Sequence, residues 1–249
     1  MAIQKDFKKF NAPGYLHEYY SKIGDENSAL LKFFHKTYKK LNSKKSLLEF
    51  GGGPTIYQLI SASSKVKEII FAEYVKGNRE EIKKWAKKDP KAFNWEDYFK
   101  FVLKLENKKI NDKEIEKIKQ RLRGRIKEII KCDAYKQNPL SPKKYPLFDI
   151  VSVCFVPESA TDNEKTYQLF INNIASMLKT KGILIMVLLK NAKFYHIGKT
   201  KFPAYPVDEK YVKNILENIG FSKIRMESIN AEHEQGYEGM VFLTAVKGN

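Results

Sequence analysis

Leu48-Glu49-Phe50-Gly51-Gly52-Gly53-Pro54-Thr55 joins a short apolar run to a helix-forming one through three consecutive glycines. Glycine lets the backbone take positive φ and lets a ligand approach with no Cβ in the way. In an open α/β sheet such a turn lies at the carboxyl end of a strand, where these sheets bind their ligands. The spacing is not the full dinucleotide fingerprint, and no Lys-Ser or Lys-Thr of a phosphate-cradling loop follows it. Glu73 adds a second signal. It ends the next apolar run, 20 residues after Gly53, and an acid there can accept both hydroxyls of a ribose. Lys131-Cys132-Asp133 supplies a third acid, placed where a following strand can present it to an adenine amino group. Together these residues point to a nucleoside-type cofactor. They do not decide between NAD and S-adenosylmethionine.

Outward from this turn, four stretches read as buried strands: 46–50, 68–73, 149–154 and 182–189. Each is a short apolar run with polar or glycine boundaries, as expected of parallel strands covered on both faces. Residues 223–229 and 240–246 read as edge or antiparallel strands. Helical patterns lie between them, over 56–64, over 78–88, and over the stripe Thr166, Leu169, Phe170, Ile174, Met177 and Leu178. A last helix opens at Val207-Asp208 and is expected to end at Gly220, a natural C-terminal cap. Alternating strands and helices predict a doubly wound, mostly parallel sheet with right-handed crossovers.

Two segments stand outside that alternation. Residues 1–43 carry a helical face of Leu30, Leu31, Phe33, Phe34, Tyr38 and Leu41. Residues 91–130 interrupt the pattern, with Ile115, Ile118, Leu122, Ile126 and Ile129 spaced as a one-sided helix that begins at an Asn111–Glu114 capping pair. Pattern alone leaves two readings for both segments: packing on the sheet, or walling off a ligand. The whole chain, 1–249, is read as a single domain with an N-terminal helical lid and a helical insertion.

Composition narrows the setting. The net charge is +17, from 46 basic and 29 acidic residues, a balance that could serve a nucleic-acid binder. The lysines are spread along the chain and often adjoin acids, as in Glu80-Glu81-Ile82-Lys83-Lys84, and there is no arginine-rich arm. A solvated basic surface is therefore the preferred reading, and a nucleic-acid footprint the alternative. Cys132 and Cys154 are the only cysteines, and the scattered histidines match no zinc spacing. The opening residues have no apolar signal-peptide core, and the longest wholly apolar run, 183–189, is too short to span a bilayer. The expectation is a soluble cytoplasmic protein with no metal and no membrane partner.

The chain resembles the family of nicotinamide, phenylethanolamine, thioether and indolethylamine methyltransferases. The resemblance rests on Gly14-Tyr15-Leu16-His17-Glu18-Tyr19-Tyr20 and on Gly51-Gly52-Gly53-Pro54-Thr55-Ile56-Tyr57-Gln58-Leu59. It continues through Trp85, Asp89-Pro90, Ala92-Phe93, Trp95, Lys131-Cys132-Asp133 and Phe194-Tyr195-His196-Ile197-Gly198. It implies a Rossmann-like seven-stranded methyltransferase sheet with a C-terminal antiparallel strand. It also implies an enzyme that uses S-adenosylmethionine, releases S-adenosylhomocysteine and methylates a small molecule; a lid-covered site that needs no partner makes a monomer the expectation.

At matching positions the resemblance assigns roles. Tyr15, the glycine turn Gly51, Gly52 and Gly53, Thr55 and Tyr57 would hold the methionine half. Glu73 would take the ribose hydroxyls, with Tyr74 and Asn78 beside the adenosine. Asp133 and Ala134 would meet the adenine, and Cys154 stands where the family has a cofactor-lining threonine. Tyr20 would close over substrate, and Glu158 falls where relatives carry an acid that recognises the amide or amine. A second pocket acid is replaced by Leu188, family serines fall at Ala192 and near Pro203-Ala204, and Glu234 is a candidate replacement acid. Fewer polar groups weaken discrimination against acceptors that lack hydrogen-bonding groups. An amine or heteroaromatic nitrogen is the expected acceptor, nicotinamide itself is not the preferred one, and an oxygen or sulfur acceptor is the alternative.

Overall fold

A computed structural model of the chain describes residues 7–42, 44–232 and 236–248. Seven strands form one sheet: β1 (Lys45–Phe50), β2 (Val66–Ala72), β3 (Ile126–Ile130), β4 (Phe148–Cys154), β5 (Leu178–Lys190), β8 (Phe221–Asn230) and β9 (Gly239–Lys247). Their order is β3-β2-β1-β4-β5-β9-β8. β1 to β5 run parallel, and β9 is antiparallel to both β5 and β8. This is the expected sheet. The order reverses between β1 and β4, which opens a crevice at their carboxyl ends.

Both faces of the sheet are covered, so its central strands are apolar almost throughout. One core joins Leu47, Ile69 and Val187 to the lid helices α1 (Ala12–Tyr20) and α2 (Asp25–Lys39). The other joins Leu48, Val151 and Met186 to Phe170 and Ile174 of α7 (Glu164–Ser176) and to Leu216 of α8 (Glu209–Asn218). Successive strand residues thus enter opposite cores, as the period of two requires. Leu169 departs from its expected place: it is 41% exposed, and Tyr167, Phe170 and Ile171 take the buried face instead.

The remaining helices are α3 (Tyr57–Ile60), α4 (Lys76–Ala86), α5 (Glu96–Leu105) and α6 (Asp112–Arg125). Residues 56–64 are not one helix: α3 is a single turn, followed by a 3-10 turn at Ala62–Ser64. Asn111 caps α6, its side chain accepting from the Glu114 amide at 2.9 Å. The expected helix through Ile129 stops earlier. Ile126 and Ile129 belong to β3, where Ile129 pairs with Phe71 and Ile130 with Ala72. Isoleucines three and four apart fit a helix stripe, but parallel pairing to β2 satisfies their backbone and their β-branched side chains prefer the pleated surface. A hairpin of β6 (Phe194–Ile197) and β7 (Thr200–Pro203) stands apart from the main sheet. Gly220 closes α8 as expected, at φ +88.

Candidate functional site

The crevice between β1 and β4 opens into a cleft of about 200 Å³. It is lined by residues of the lid, of the glycine turn and of the carboxyl ends of β2, β4 and β5.

The glycine turn forms one wall. Gly51 sits at φ +67 and Gly53 at φ +62, both in the left-handed region. A Cβ on Gly51 would clash with Val156 Cγ2, whereas one on Gly53 would meet nothing within 4 Å. Gly51 is therefore a packing glycine, and Gly53 faces open space in the cleft wall. Behind the turn, Gln58 Nε2 donates to Glu49 Oε1, Gly52 O and Thr55 O, each at 3.2 Å. The Thr55 hydroxyl donates to Gly52 O at 2.8 Å, so it braces the turn from within. Glu49 is fully buried, and burial pushes its carboxyl up to about 8.

Glu73 leaves the end of β2 beside this turn. Its carboxylate accepts the Gly53 amide at 3.0 Å, the Val75 amide at 2.7 Å and Asn78 Nδ2 at 3.2 Å. Burial raises its pKa, and these donors oppose the rise. Asn78 Oδ1 is buried without a protein partner on the same wall. Tyr74, Asp133, Ala134, Tyr135 and Phe170 continue it, and Cys154 lines the floor. Asp133 Oδ1 accepts the Tyr135 amide at 3.1 Å.

The lid closes the other side with aromatic rings. Tyr15 and Tyr20 hydroxyls stand 3.3 Å apart, Tyr20 stacks on Tyr57 at 5.3 Å, and Trp95 lies 5.6 Å from Tyr20. Burial pushes the Tyr15 phenol up to about 12 and those of Tyr20 and Tyr57 well above the ordinary value. All three stay neutral through the physiological range.

Thirteen of the fourteen residues that the sequence singled out therefore line one cleft: Tyr15, Tyr20, Gly51, Gly52, Gly53, Thr55, Tyr57, Glu73, Tyr74, Asn78, Asp133, Ala134 and Cys154. Glu158 is the exception. It is fully buried behind the wall, its Oε1 accepts the Leu189 amide at 2.9 Å, and burial pushes its carboxyl up to about 8. Leu188, expected in the pocket, turns into the opposite core, and its neighbour Leu189 lines the cleft. Tyr195 is on the wall, His196 is exposed, and Tyr205 packs against Tyr167 and Tyr211. Glu234 lies outside the described residues.

Sequence reasoning missed Glu26, Asn27 and Tyr237, which also line the cleft. Tyr237 donates to both carboxylate oxygens of Glu26, at 3.1 and 3.0 Å, and Asn27 Nδ2 donates to Tyr19 O at 2.8 Å. No local motif marks them, because the partners meet only through the tertiary fold.

A model of the NNMT/PNMT/TEMT family matches residues 1–248. The chain is 32% identical to nicotinamide N-methyltransferase of Homo sapiens, an alignment covering 96% of this chain and 93% of that one. It is 33% identical to indolethylamine N-methyltransferase of Oryctolagus cuniculus, covering 86% and 83%. Among solved structures, the DhpI–SAH complex superposes with a TM-score of 0.59 at 10% identity, covering 99% of this chain and 97% of that one. That last likeness is one of fold.

Proposed function

The chain belongs to the NNMT/PNMT/TEMT family and is a methyltransferase, and we propose that its cleft holds S-adenosylmethionine and passes the methyl group to a nitrogen of a small-molecule acceptor. The carrying observation is the Glu73 carboxylate tied to Gly53 at the head of a cleft whose other wall is tyrosine. The residues present fit this cofactor. Asn78 Oδ1 is a buried acceptor with no protein partner, which suits a ribose hydroxyl, and the space beside Gly53 admits a ligand where any Cβ would intrude. Glu73 would accept the ribose diol, Tyr74 would flank the adenosine, and Asp133 and Ala134 would meet the adenine. Tyr15, Gly51, Gly52, Thr55, Tyr57 and Cys154 would enclose the methionine half.

Bound there, the cofactor supplies an electrophilic sulfonium methyl. The protein's task is to align the acceptor with it and exclude water, and such positioning contributes roughly 7–11 kcal/mol. Neutral tyrosine rings present electron-rich faces to a cation. Tyr20, between Tyr15, Tyr57 and Trp95, would cover the reacting centre.

Nitrogen is favoured over oxygen or sulfur because the phenols around the centre are too weakly acidic to act as bases near neutral pH. Against a nucleic-acid role, lysines pair with acids both within helices, as in Lys83–Glu80 and Lys100–Glu96, and between strands, as in Lys179–Asp149. No described helix is long and apolar enough to cross a membrane. We take the protein to act as a cytoplasmic monomer, since the lid that covers the cleft comes from its own chain. Calorimetric titration with S-adenosylmethionine and S-adenosylhomocysteine tests the reading. Micromolar binding is expected, and its absence in the folded protein would overturn it.

A further inference from the structure

We propose that Glu26, rather than Glu158, recognises the acceptor nitrogen and so favours an acceptor that carries an N–H. The proposal rests on the methyltransferase reading of the cleft.

Three acids reach the cleft wall: Glu26, Glu73 and Asp133. Glu73 is occupied by three donors at the glycine turn, and Asp133 lies beside it near Tyr74 and Tyr135. Glu26 alone of the three is held away from the glycine turn, by Tyr237 and next to the Asn27–Tyr19 contact. A nucleoside cofactor held at the glycine turn leaves the side of Glu26 to the acceptor.

Glu26 is presented by the first turn of α2, and two donors orient it: the Tyr237 hydroxyl and, at 3.2 Å, the Glu232 amide. Among the described residues it takes part in no ion pair. A carboxylate has about four acceptor sites and these contacts use three, so Oε2 keeps one for a ligand's N–H. Glu158 is wholly buried and does not line the cleft; one oxygen accepts the Leu189 amide and the other has no protein partner.

The reaction calls for an acid here. The amine must first give its ammonium proton to water; its freed lone pair then forms the new N–C bond as the C–S bond breaks and that bond's electron pair goes to sulfur. Sulfur becomes a neutral thioether, positive charge appears on nitrogen, and one N–H proton then leaves to water. A fixed carboxylate facing that nitrogen stabilises the charge as it develops, which lowers the barrier more than it tightens binding of the neutral amine. A ring nitrogen without an N–H cannot donate to Glu26, so amines are preferred over pyridines.

A first-turn acid also favours the helix dipole, and Asp25, exposed and off the cleft wall, serves as the control for that role. The experiment uses the full chain with S-adenosylmethionine and three probes: 2-phenylethylamine, quinoline and thiophenol. Turnover is followed by mass spectrometry, and probe binding by titration of the S-adenosylhomocysteine complex. The expected result is that wild type methylates and binds 2-phenylethylamine. Glu26→Gln should lose on the order of 100-fold in kcat/KM, mostly in kcat, with cofactor affinity unchanged. Asp25→Asn should stay within about threefold in kcat/KM. An unchanged Glu26→Gln, an equal loss in Asp25→Asn, a loss confined to Glu158→Gln, or a wild type that neither binds nor methylates the amine would each overturn the assignment. Failure of wild type to bind cofactor at all would instead remove the reading beneath it.

Discussion

The Gly53 amide donates to Glu73 Oε2 at 3.0 Å, tying the turn after β1 to the end of β2. The same acid that would hold a ribose thus already fixes the loop that would hold the methionine half. Glu73→Ala should therefore weaken S-adenosylhomocysteine by more than one lost contact. One charge-assisted hydrogen bond to the ligand and the one that holds the turn, at about 1.5 kcal/mol each, come to roughly 3 kcal/mol, or on the order of 100-fold in Kd. Calorimetry on wild type and variant measures it. A change under threefold would show that Glu73 serves the turn and not the ligand.

The two left-handed glycines should separate folding from binding. Gly51→Ala forces a Cβ into Val156 and adds left-handed strain of about 1–2 kcal/mol, so it should lower the urea midpoint markedly. Gly53→Ala meets only the strain, yet its methyl enters the cleft. It should fold with a modest loss and bind cofactor at least tenfold more weakly. Equal stability losses in the two variants would contradict the open space beside Gly53.

Most of this cleft was legible because its signals are local. Gly51 to Thr55 occupy a single turn, Tyr15 and Tyr20 a single helix, and Glu73 ends the very next strand. What escaped depends on contacts across the chain. Glu26 and Tyr237 are 211 residues apart, and neither has a neighbour in sequence that announces the other. Glu158 sits at the right place along the chain yet behind the wall, because alignment gives position and not side-chain direction. Leu188 fails for the same reason: on a strand, one step along the chain moves a side chain to the other core. β3 was hidden by isoleucine spacing that suits helix and strand alike, and only the pairing with β2 decides it.

Tyr20 tests whether the lid acts by shape or by chemistry. Its phenol is held well above the ordinary value, mainly by burial, so no ionisation near neutral pH can drive a proton transfer. Tyr20→Phe removes only the hydroxyl shared with Tyr15, a bond worth about 0.5–1.5 kcal/mol, or roughly 2- to 12-fold. Tyr20→Ala also removes the ring stacked on Tyr57 and should cost at least 100-fold in kcat/KM. A collapse in the phenylalanine variant, or a wild-type pH profile that gains an alkaline limb lost in that variant, would make Tyr20 a proton carrier instead.

Glu49 and Glu158 give the protein an unusual pH dependence of stability. Both are fully buried, and burial pushes each carboxyl from 4.5 up to about 8. The unfolded chain releases these protons near pH 4.5, while the folded protein keeps them until about pH 8. Between those limits the native state binds more protons, so stability falls as pH rises, by about 1.4 kcal/mol per unit for each group. Asp149 works in the opposite sense: its carboxyl is lowered to about 2 despite partial burial, by the Ser46 amide and Lys179, and its stabilisation is lost only in acid. Urea unfolding across the window should therefore show wild type more stable near pH 5 than near pH 8. Glu49→Gln, which keeps an acceptor for Gln58 without a proton to lose, should flatten that slope by about half. A wild-type profile that is level or rising through this range would mean that both acids are already ionised in the fold.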